Sequence, residues 1–345
     1  MLRLVDANLD RLGEGLRVLE DVSRFLLNDA TLSKRLKTMR HAFVKDLGPL
    51  EQELLSVRRV AEDVGGPTRK RVALQHKNLP ALVMANSRRV QESLRVLEEF
   101  SRVSGMPLSG KAGGFESARF EVYDLEQQLI GRLLRHDKAA RLKGLYLVLD
   151  VTALKGRDEV EVAAAAIRGG VKTIQLRDKQ RSKSELLAAA RKLRDLCAGE
   201  GALFIVNDHL DVALAVNADG IHLGQDDLPP AEARRILPIS TLIGSSTHGT
   251  TEAVRAQANG ADYVAVGSIY PTTSKGKFKL VGPETLRRTR SKVSVPLIAI
   301  GGINHTNVRE VMKAGADGAA VISAILGADD VERAARSLAA KMKRI

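Results

Sequence analysis

The sequence of 345 residues has one cysteine, no tryptophan and only 3% aromatic residues. A single cysteine can form neither an internal disulfide nor a cysteine-based zinc site, so nothing points to secretion and we expect a cytoplasmic location. The shortage of aromatic rings argues against a stacking surface for single-stranded nucleic acid. No apolar run approaches the ~18 residues of a membrane span, and the first ten residues lack the apolar core of a signal peptide. We therefore expect neither a nucleic-acid nor a membrane partner.

Positive charge is in excess, with 54 Lys and Arg against 41 Asp and Glu. The excess is spread over both halves of the chain, and no run of five or six like charges forms a basic tail. A generally basic surface and binding of phosphorylated small molecules both remain open as explanations.

The first half of the sequence is helical in pattern and contains an internal repeat. One apolar helical stripe is formed by Leu9, Leu12, Leu16 and Leu19. The segment ANLDRLGEGLRVLEDVSR, residues 7–24, recurs as ANSRRVQESLRVLEEFSR, residues 85–102. We interpret residues 1–138 as an all-α helical bundle domain built by duplication from two repeats, about 5–60 and 83–136.

The repeat also carries a polar pattern at threefold spacing. Its members are Asn8, Arg11 and Glu14 in the first copy and Asn86, Arg89 and Glu92 in the second. Two interpretations stay open for these six candidates: solvated helix-surface residues, some in i,i+4 ion pairs, or a two-sided polar cleft that holds an anion.

From Gly144 onward, short apolar runs alternate with helical stretches. The runs are Leu145–Leu149, Thr173–Leu176, Leu203–Val206, Ile221–Leu223, Leu242–Gly244, Tyr263–Val266, Leu297–Ile300 and Ala319–Ile322. Continuously apolar runs suit parallel strands buried on both faces. Eight such units predict an α/β fold over residues 144–345, a TIM (β/α)8 barrel. A doubly wound open sheet is the alternative, and the strand count and even spacing favour the barrel.

Polar residues follow the predicted strands, at the end where barrels place their active sites. Gln175, Arg177 and Lys179 alternate on one strand face, where unpaired charge is costly to bury. Asp208 and Asp227 follow neighbouring strands and suit a shared hard cation such as Mg²⁺.

Phosphate binding is indicated at the last two strands. The Gly301-Gly302 pair follows the seventh strand and Ser323 the eighth, the usual phosphate site of such barrels. The pattern predicts that the strand ends form a binding site for two phosphorylated ligands, a metal-bound diphosphate and a separate monophosphate.

Residues 144–325 resemble the thiamine phosphate synthase family of TIM-barrel enzymes. The resemblance is carried by the segments TIQLRDK, FIVNDHLDVALAVNADGIHLGQDDLP, GSSTH, YVAVGSIYPTTSK, LIAIGGI and DGAAVISAI. It implies a transferase that joins 4-amino-2-methyl-5-(diphosphooxymethyl)pyrimidine to a thiazole phosphate with the help of Mg²⁺. Thiamine phosphate and pyrophosphate would be the products.

The resemblance also implies roles for matching residues. Substrate would be bound by Gln175, Arg177, Lys179, Asn207, Ser246, Thr272, Ser274, Lys275, Gly302, Ile322 and Ser323. Arg177, Lys179 and Lys275 would act in catalysis on the departing diphosphate, and Asp208 and Asp227 would bind Mg²⁺. Ser274 stands where family members usually have threonine, and Gly276-Lys277 stands where they often have lysine and aspartate.

The expected reaction needs no protein nucleophile, because the thiazole nitrogen attacks and pyrophosphate leaves. We expect a dissociative displacement in which the protein positions two ligands and stabilises the departing charge. No histidine is assigned to catalysis, and His222, inside a strand run, is interpreted as structural. The alternative is a thiazole tautomerase-like barrel, which would not need the diphosphate-binding residues.

The ANxxRxxExLRVLE pattern resembles a helical domain found fused to such synthases, which implies a pyrimidine phosphate kinase. The sequence contains no GxxxxGK[ST] phosphate-binding loop. A non-catalytic dimerisation or regulatory module is the other interpretation, and a homo-oligomer is compatible with either.

Overall fold

The computed structural model divides the chain into two units, Met1–Leu134 and Arg135–Ile345. It describes residues 1–45, 49–57, 76–105, 108–272 and 279–342. Within these ranges no helix is both long and apolar enough to cross a membrane.

The first unit is helical wherever the structure describes it. Its helices are α1 (Leu2–Asp21), α2 (Ala30–Arg40), α3 (Pro49–Ser56), α4 (Leu79–Ser101) and α5 (Ala112–Ala140), with α5 continuing into the second unit. Single π-helical turns, Val22–Leu26 and His41–Lys45, follow α1 and α2.

Helices α1 and α4 form the centre of this unit and carry the two copies of the repeat. The predicted leucine stripe is confirmed, since all four of its leucines are at most 3% exposed. The copies also make the same local bonds: Asn8 Nδ2 donates to the Leu4 carbonyl (2.8 Å) and Asn86 Nδ2 to the Leu82 carbonyl (2.9 Å). The two copies of the repeat thus share a sequence pattern and also the hydrogen bond from the asparagine side chain to the backbone of its own helix.

The second unit is a closed barrel of eight parallel strands in sequential order, as predicted. The strands are β1 (Gly144–Asp150), β2 (Thr173–Arg177), β3 (Leu203–Asn207), β4 (Gly220–Leu223), β5 (Leu242–Thr247), β6 (Tyr263–Val266), β7 (Leu297–Ile300) and β8 (Gly318–Val321). The helices are α6 (Glu159–Arg168), α7 (Lys183–Gly199), α8 (Leu210–Ala215), α9 (Pro230–Ile236), α10 (Thr250–Ala258), α11 (Gly282–Arg290), α12 (Val308–Lys313), α13 (Ser323–Leu326) and α14 (Val331–Met342).

The strands are buried on both faces, which explains their continuous apolar sequences. Side chains such as Leu147 and Val264 pack outward against the helices. A second cluster, including Val148, Ile205 and Ile298, fills the barrel interior. The closed sheet therefore brings the carboxyl ends of all eight strands around one opening.

Several strand ends differ from the sequence pattern by one to three residues, and β5, for example, ends at Thr247 rather than Gly244. The last strand ends at Val321, so Ile322 lies beyond it and precedes α13. Helix α12 begins at Val308, and before it the Asn304 and Asn307 side chains accept backbone N–H bonds from Thr306 and Asn304, respectively. Such short polar side chains compete with helical backbone bonds.

Candidate active site

A cavity of about 410 Å³ opens at the carboxyl ends of the strands. Ten of the residues expected in the site line it: Arg177, Lys179, Asn207, Asp208, Asp227, Ser246, Thr272, Gly302, Ile322 and Ser323. Gln175 is buried on β2, where its amide nitrogen donates to the Tyr146 hydroxyl at 2.8 Å. The expected Ser274 and Lys275, and the departing pair Gly276-Lys277, lie outside the described residues.

The two cations after β2 are held in different ways. Arg177 pairs through Nη1 with the Asp150 carboxylate, which lies beside it in the register of β1 and β2. Asp150 is only 4% exposed and also accepts the Thr152 backbone N–H (3.0 Å). Lys179 is largely exposed, with its Nζ 3.7 Å from Asp208 Oδ2. Arg177 is thus oriented by a buried partner, whereas Lys179 is free to follow a ligand.

Two carboxylates face each other across the ends of β3 and β4. Burial first, and then the neighbouring Asp227 carboxyl, raises the pKa of Asp208 to about 6, while Lys179 opposes the rise. Asp227 Oδ2 accepts the Gly224 N–H at 2.7 Å, which fixes its position in the loop. Asp208 has a φ of 62°, a conformation that aspartate tolerates better than most residues. The protein thus holds two like charges close together at a strained position.

This carboxylate pair fits a magnesium ion. Burial and the Asp227 carboxyl both disfavour the charged form of Asp208, and a cation bound by this pair would favour it. Among the described residues, no three His, Cys, Asp or Glu side chains cluster to form a complete protein cage for a metal. Mg²⁺ commonly takes one or two carboxylates and completes its shell with water and substrate phosphates.

The opposite side of the cavity is built from backbone. Gly301 and Gly302 have φ values of 99° and 62°, which favour glycine. A Cβ on Gly302 would lie 2.4 Å from the Pro271 carbonyl oxygen. We call Gly301 and Gly302 the glycine rim. The rim carries no side chains, so its peptide groups can reach a ligand beside Ile322 and Ser323.

Sequence reasoning missed several residues of this site. Asp150 ends the first strand run and could have been found as a strand-end acid. Lys279 lines the cavity after the sixth strand, beyond the motif used for the resemblance. His222, interpreted as structural, is buried in β4 but bonds to Ser246 at 2.9 Å. That bond depends on strand register and had no signal in the local sequence.

The six candidates of the helical unit separate by burial. Asn8 and Asn86 are buried and bonded to their own helices, whereas Arg11, Glu14, Arg89 and Glu92 are exposed. The expected i,i+4 pairs Arg17–Asp21 (3.3 Å) and Arg95–Glu99 (2.7 Å) are formed. The repeat also buries one glutamate per copy, Glu20 and Glu98, each bound by arginines, which the sequence analysis did not single out.

The closed eight-stranded barrel, with its cavity at the strand ends, places the second unit in the class of TIM-barrel enzymes. Residues 145–325 match the family model described as thiamine monophosphate synthase, and residues 3–128 match the model described as the ThiD2 family. The chain therefore belongs to the thiamine-phosphate synthase family.

Similar proteins span nearly the whole chain. The thiamine-phosphate synthase of Thermosynechococcus vestitus is 42% identical over 343 residues, 99% of this chain and 95% of the relative. That of Synechococcus sp. strain CC9311 is 39% identical, covering 97% and 94%. The solved structure of thiamine phosphate pyrophosphorylase from Pyrococcus furiosus is 42% identical with a TM-score of 0.56, covering 60% of this chain and 98% of that one.

Proposed function

We propose that the barrel joins 4-amino-2-methyl-5-(diphosphooxymethyl)pyrimidine to thiazole phosphate, releasing pyrophosphate. The observation that carries the proposal is the composition of the cavity. Cationic and carboxylate groups gather at the ends of β2 to β4, and a glycine-lined rim lies at the end of β7. One side suits a metal-bound diphosphate and the other a monophosphate.

In the proposed dissociative displacement the C–O bond to diphosphate breaks, and the thiazole nitrogen forms a C–N bond to the pyrimidine methylene. Arg177, oriented by Asp150, and the exposed ammonium of Lys179 stabilise the negative charge that develops on the leaving oxygen. Asn207 contributes an amide donor at the same strand end. Lys275 is proposed for the same task.

Asp208 and Asp227 would hold Mg²⁺, which when bound supplies further neutralisation of the diphosphate charge. The glycine rim and Ser323 would hold the thiazole phosphate, so that its ring nitrogen faces the methylene carbon. Placing both reactants in one cavity provides the positioning on which this displacement depends.

The experiment is an assay of pyrophosphate release with both substrates present. Lys179→Ala and Asp208→Ala are each expected to lower turnover by roughly 100-fold or more. Asp226→Ala is the matched control, because Asp226 lines the same cavity but is not proposed to bind metal. Near-normal turnover of both variants without added Mg²⁺ would contradict the mechanism.

The tautomerase-like alternative is tested in the same assay. A barrel of that kind would release no pyrophosphate from the two substrates. The gathering of Arg177, Lys179, Asn207, Asp208 and Asp227 in one cavity favours the synthase, because a tautomerase has no diphosphate to hold.

For the helical unit we propose a pyrimidine phosphate kinase, supported by the match of residues 3–128 to the ThiD2 family model. The full chain carrying Asp208→Ala, given ATP and the pyrimidine monophosphate, is expected to accumulate the pyrimidine diphosphate because its barrel is inactive. Arg11→Ala and Arg89→Ala test the exposed repeat residues, and the exposed Arg88→Ala is their control. Absence of product from the folded chain would leave the dimerisation or regulatory interpretation.

A further inference from the structure

A chain of five hydrogen-bonded side chains crosses the barrel interior beneath the cavity. Gln175 Nε2 bonds to the Tyr146 hydroxyl (2.8 Å), and Tyr146 bonds to the Tyr263 hydroxyl (3.1 Å). Tyr263 continues to His222 Nδ1 (3.1 Å), and His222 Nε2 reaches Ser246 Oγ (2.9 Å). Ser246 lines the cavity, so the chain ends at the cavity wall.

Strand register makes this chain possible. His222, Gly244 and Tyr263 lie side by side on β4, β5 and β6. A Cβ on Gly244 would fall 2.0 Å from Tyr263 Cζ, so the glycine leaves the space that the tyrosine ring occupies. Through that space the ring reaches across the intervening strand to the histidine.

The protons along the chain have a defined direction. A hydroxyl oxygen can accept two hydrogen bonds, so the Gln175 donor alone leaves both directions open between the two tyrosines. If Tyr146 also accepted from Tyr263, its buried proton would have no acceptor among the five side chains, so we assign that proton to Tyr263. The Tyr263 proton then goes to His222 Nδ1, which leaves the His222 proton on Nε2, pointing at Ser246. Burial raises the pKa of both tyrosines, so both keep their protons at neutral pH.

We propose that Tyr263 and His222 are positioning residues that fix Ser246 as a hydrogen-bond donor toward the substrate. Because the Ser246 oxygen already accepts from His222 Nε2, its own proton is available to the cavity. A donor at this point selects an acceptor atom, such as a ring nitrogen of the pyrimidine, over an amino group. This inference rests on the proposed function and on Ser246 as one of the expected substrate-binding residues, and it places Ser246 against the pyrimidine.

The kinetic test uses Tyr263→Phe, which removes one hydroxyl and keeps the ring beside Gly244. Without the donor to Nδ1, the single ring proton of His222 is able to lie on Nδ1 instead, and Nε2 then accepts from Ser246. We expect KM for the pyrimidine diphosphate to rise about tenfold, the effect of one lost hydrogen bond, with KM for thiazole phosphate within about twofold of wild type. His222→Gln offers an amide donor and an acceptor, and is expected to retain more pyrimidine affinity than His222→Leu.

The structural test is the nitrogen NMR spectrum of the full chain labelled with ¹⁵N-histidine. We expect His222, assigned with His222→Gln, to carry its proton on Nε2 in the wild type and to lose that preference in Tyr263→Phe. Tyr146→Phe is the matched control, because it removes a hydroxyl from the same chain but leaves the Tyr263 hydroxyl in place to donate to His222 Nδ1. A packing role alone would leave the tautomer unchanged.

The outcomes separate the two proposals. A wild-type His222 protonated on Nδ1 or on both nitrogens overturns the inference, as does an equal rise of both KM values in Tyr263→Phe. Failure of the wild type to join the two substrates overturns the proposed function instead, and the nitrogen spectrum then still decides the direction of the protons.

Discussion

Replacing Gly302 by alanine tests how the glycine rim of the barrel works. The substitution introduces two separate costs. Alanine at φ 62° suffers the left-handed backbone strain of about 1–2 kcal/mol. In addition, the new methyl group would lie 2.4 Å from the Pro271 carbonyl oxygen and 2.8 Å from Tyr270 Cβ, so backbone must move.

Two control variants separate these costs. Gly282→Ala has a φ of 73° with nothing within 4 Å of the new Cβ, so it carries the strain without the contact. Gly249→Ala carries neither, because its φ of 177° is extended and its Cβ position is open. Gly282→Ala is therefore expected to lower Tm by a few degrees, at about 2–4 °C per kcal/mol, and Gly302→Ala by clearly more.

The functional readout is KM for each substrate. Gly302→Ala displaces the rim proposed to hold the thiazole phosphate, so KM for that substrate is expected to rise about tenfold or more, equivalent to ~1.4 kcal/mol. KM for the pyrimidine diphosphate, bound at the other side of the cavity, is expected to stay within about threefold. Equal Tm values for Gly302→Ala and Gly282→Ala, together with an unchanged KM for thiazole phosphate, would refute the reasoning.

Two further predictions concern buried titratable groups. Burial would raise the pKa of Glu98, but Arg119, Arg95 and Arg102 outweigh it and hold the pKa below its usual value of 4.5. Its stabilising contribution is thus present above pH 4.5 and lost as the pH falls. In urea titrations Glu98→Gln is expected to lower the neutral-pH midpoint more than Glu99→Gln, whose side chain is half exposed, and equal midpoints would contradict this. Burial raises the pKa of the Cys197 thiol to about 12. A thiol reagent at pH 8 is therefore expected to react with Cys197 only as the barrel unfolds. Prompt labelling of the native chain would contradict this, because it would show that the thiol is accessible.

The architecture was predictable because it depends on short-range patterns. Continuous apolar runs such as Leu203–Val206 are typical of strands buried on both faces, and the structure confirms eight of them in one closed sheet. The leucine stripe of α1 follows from helical periodicity in the same way. Both signals are local, since the period of the side chains is set by the backbone itself.

The rim of the candidate site was visible for a related reason. Asn207 follows an apolar run directly and Asp227 follows another within four residues, and barrel closure brings all strand ends to one opening. The sequence did not show which groups pair there. The bond between Arg177 and Asp150 joins residues 27 positions apart, which lie side by side in the pairing of β1 with β2. The sequence of one strand does not show how that strand is aligned with its neighbour.

The hydrogen-bonded side chains inside the barrel also depend on how separate strands are aligned. Tyr146 and Tyr263 are separated by 117 positions, and the residues next to each of them in its strand are apolar. A buried hydroxyl or imidazole without a partner costs free energy, so Tyr146, Tyr263 and His222 each required a partner that their own strands do not supply. Closure of the sheet meets these requirements together, because it sets His222 and Tyr263 on either side of Gly244. The substitution Gly244→Ala is therefore expected to disrupt the chain by displacing the Tyr263 ring, even though it adds only one methyl group.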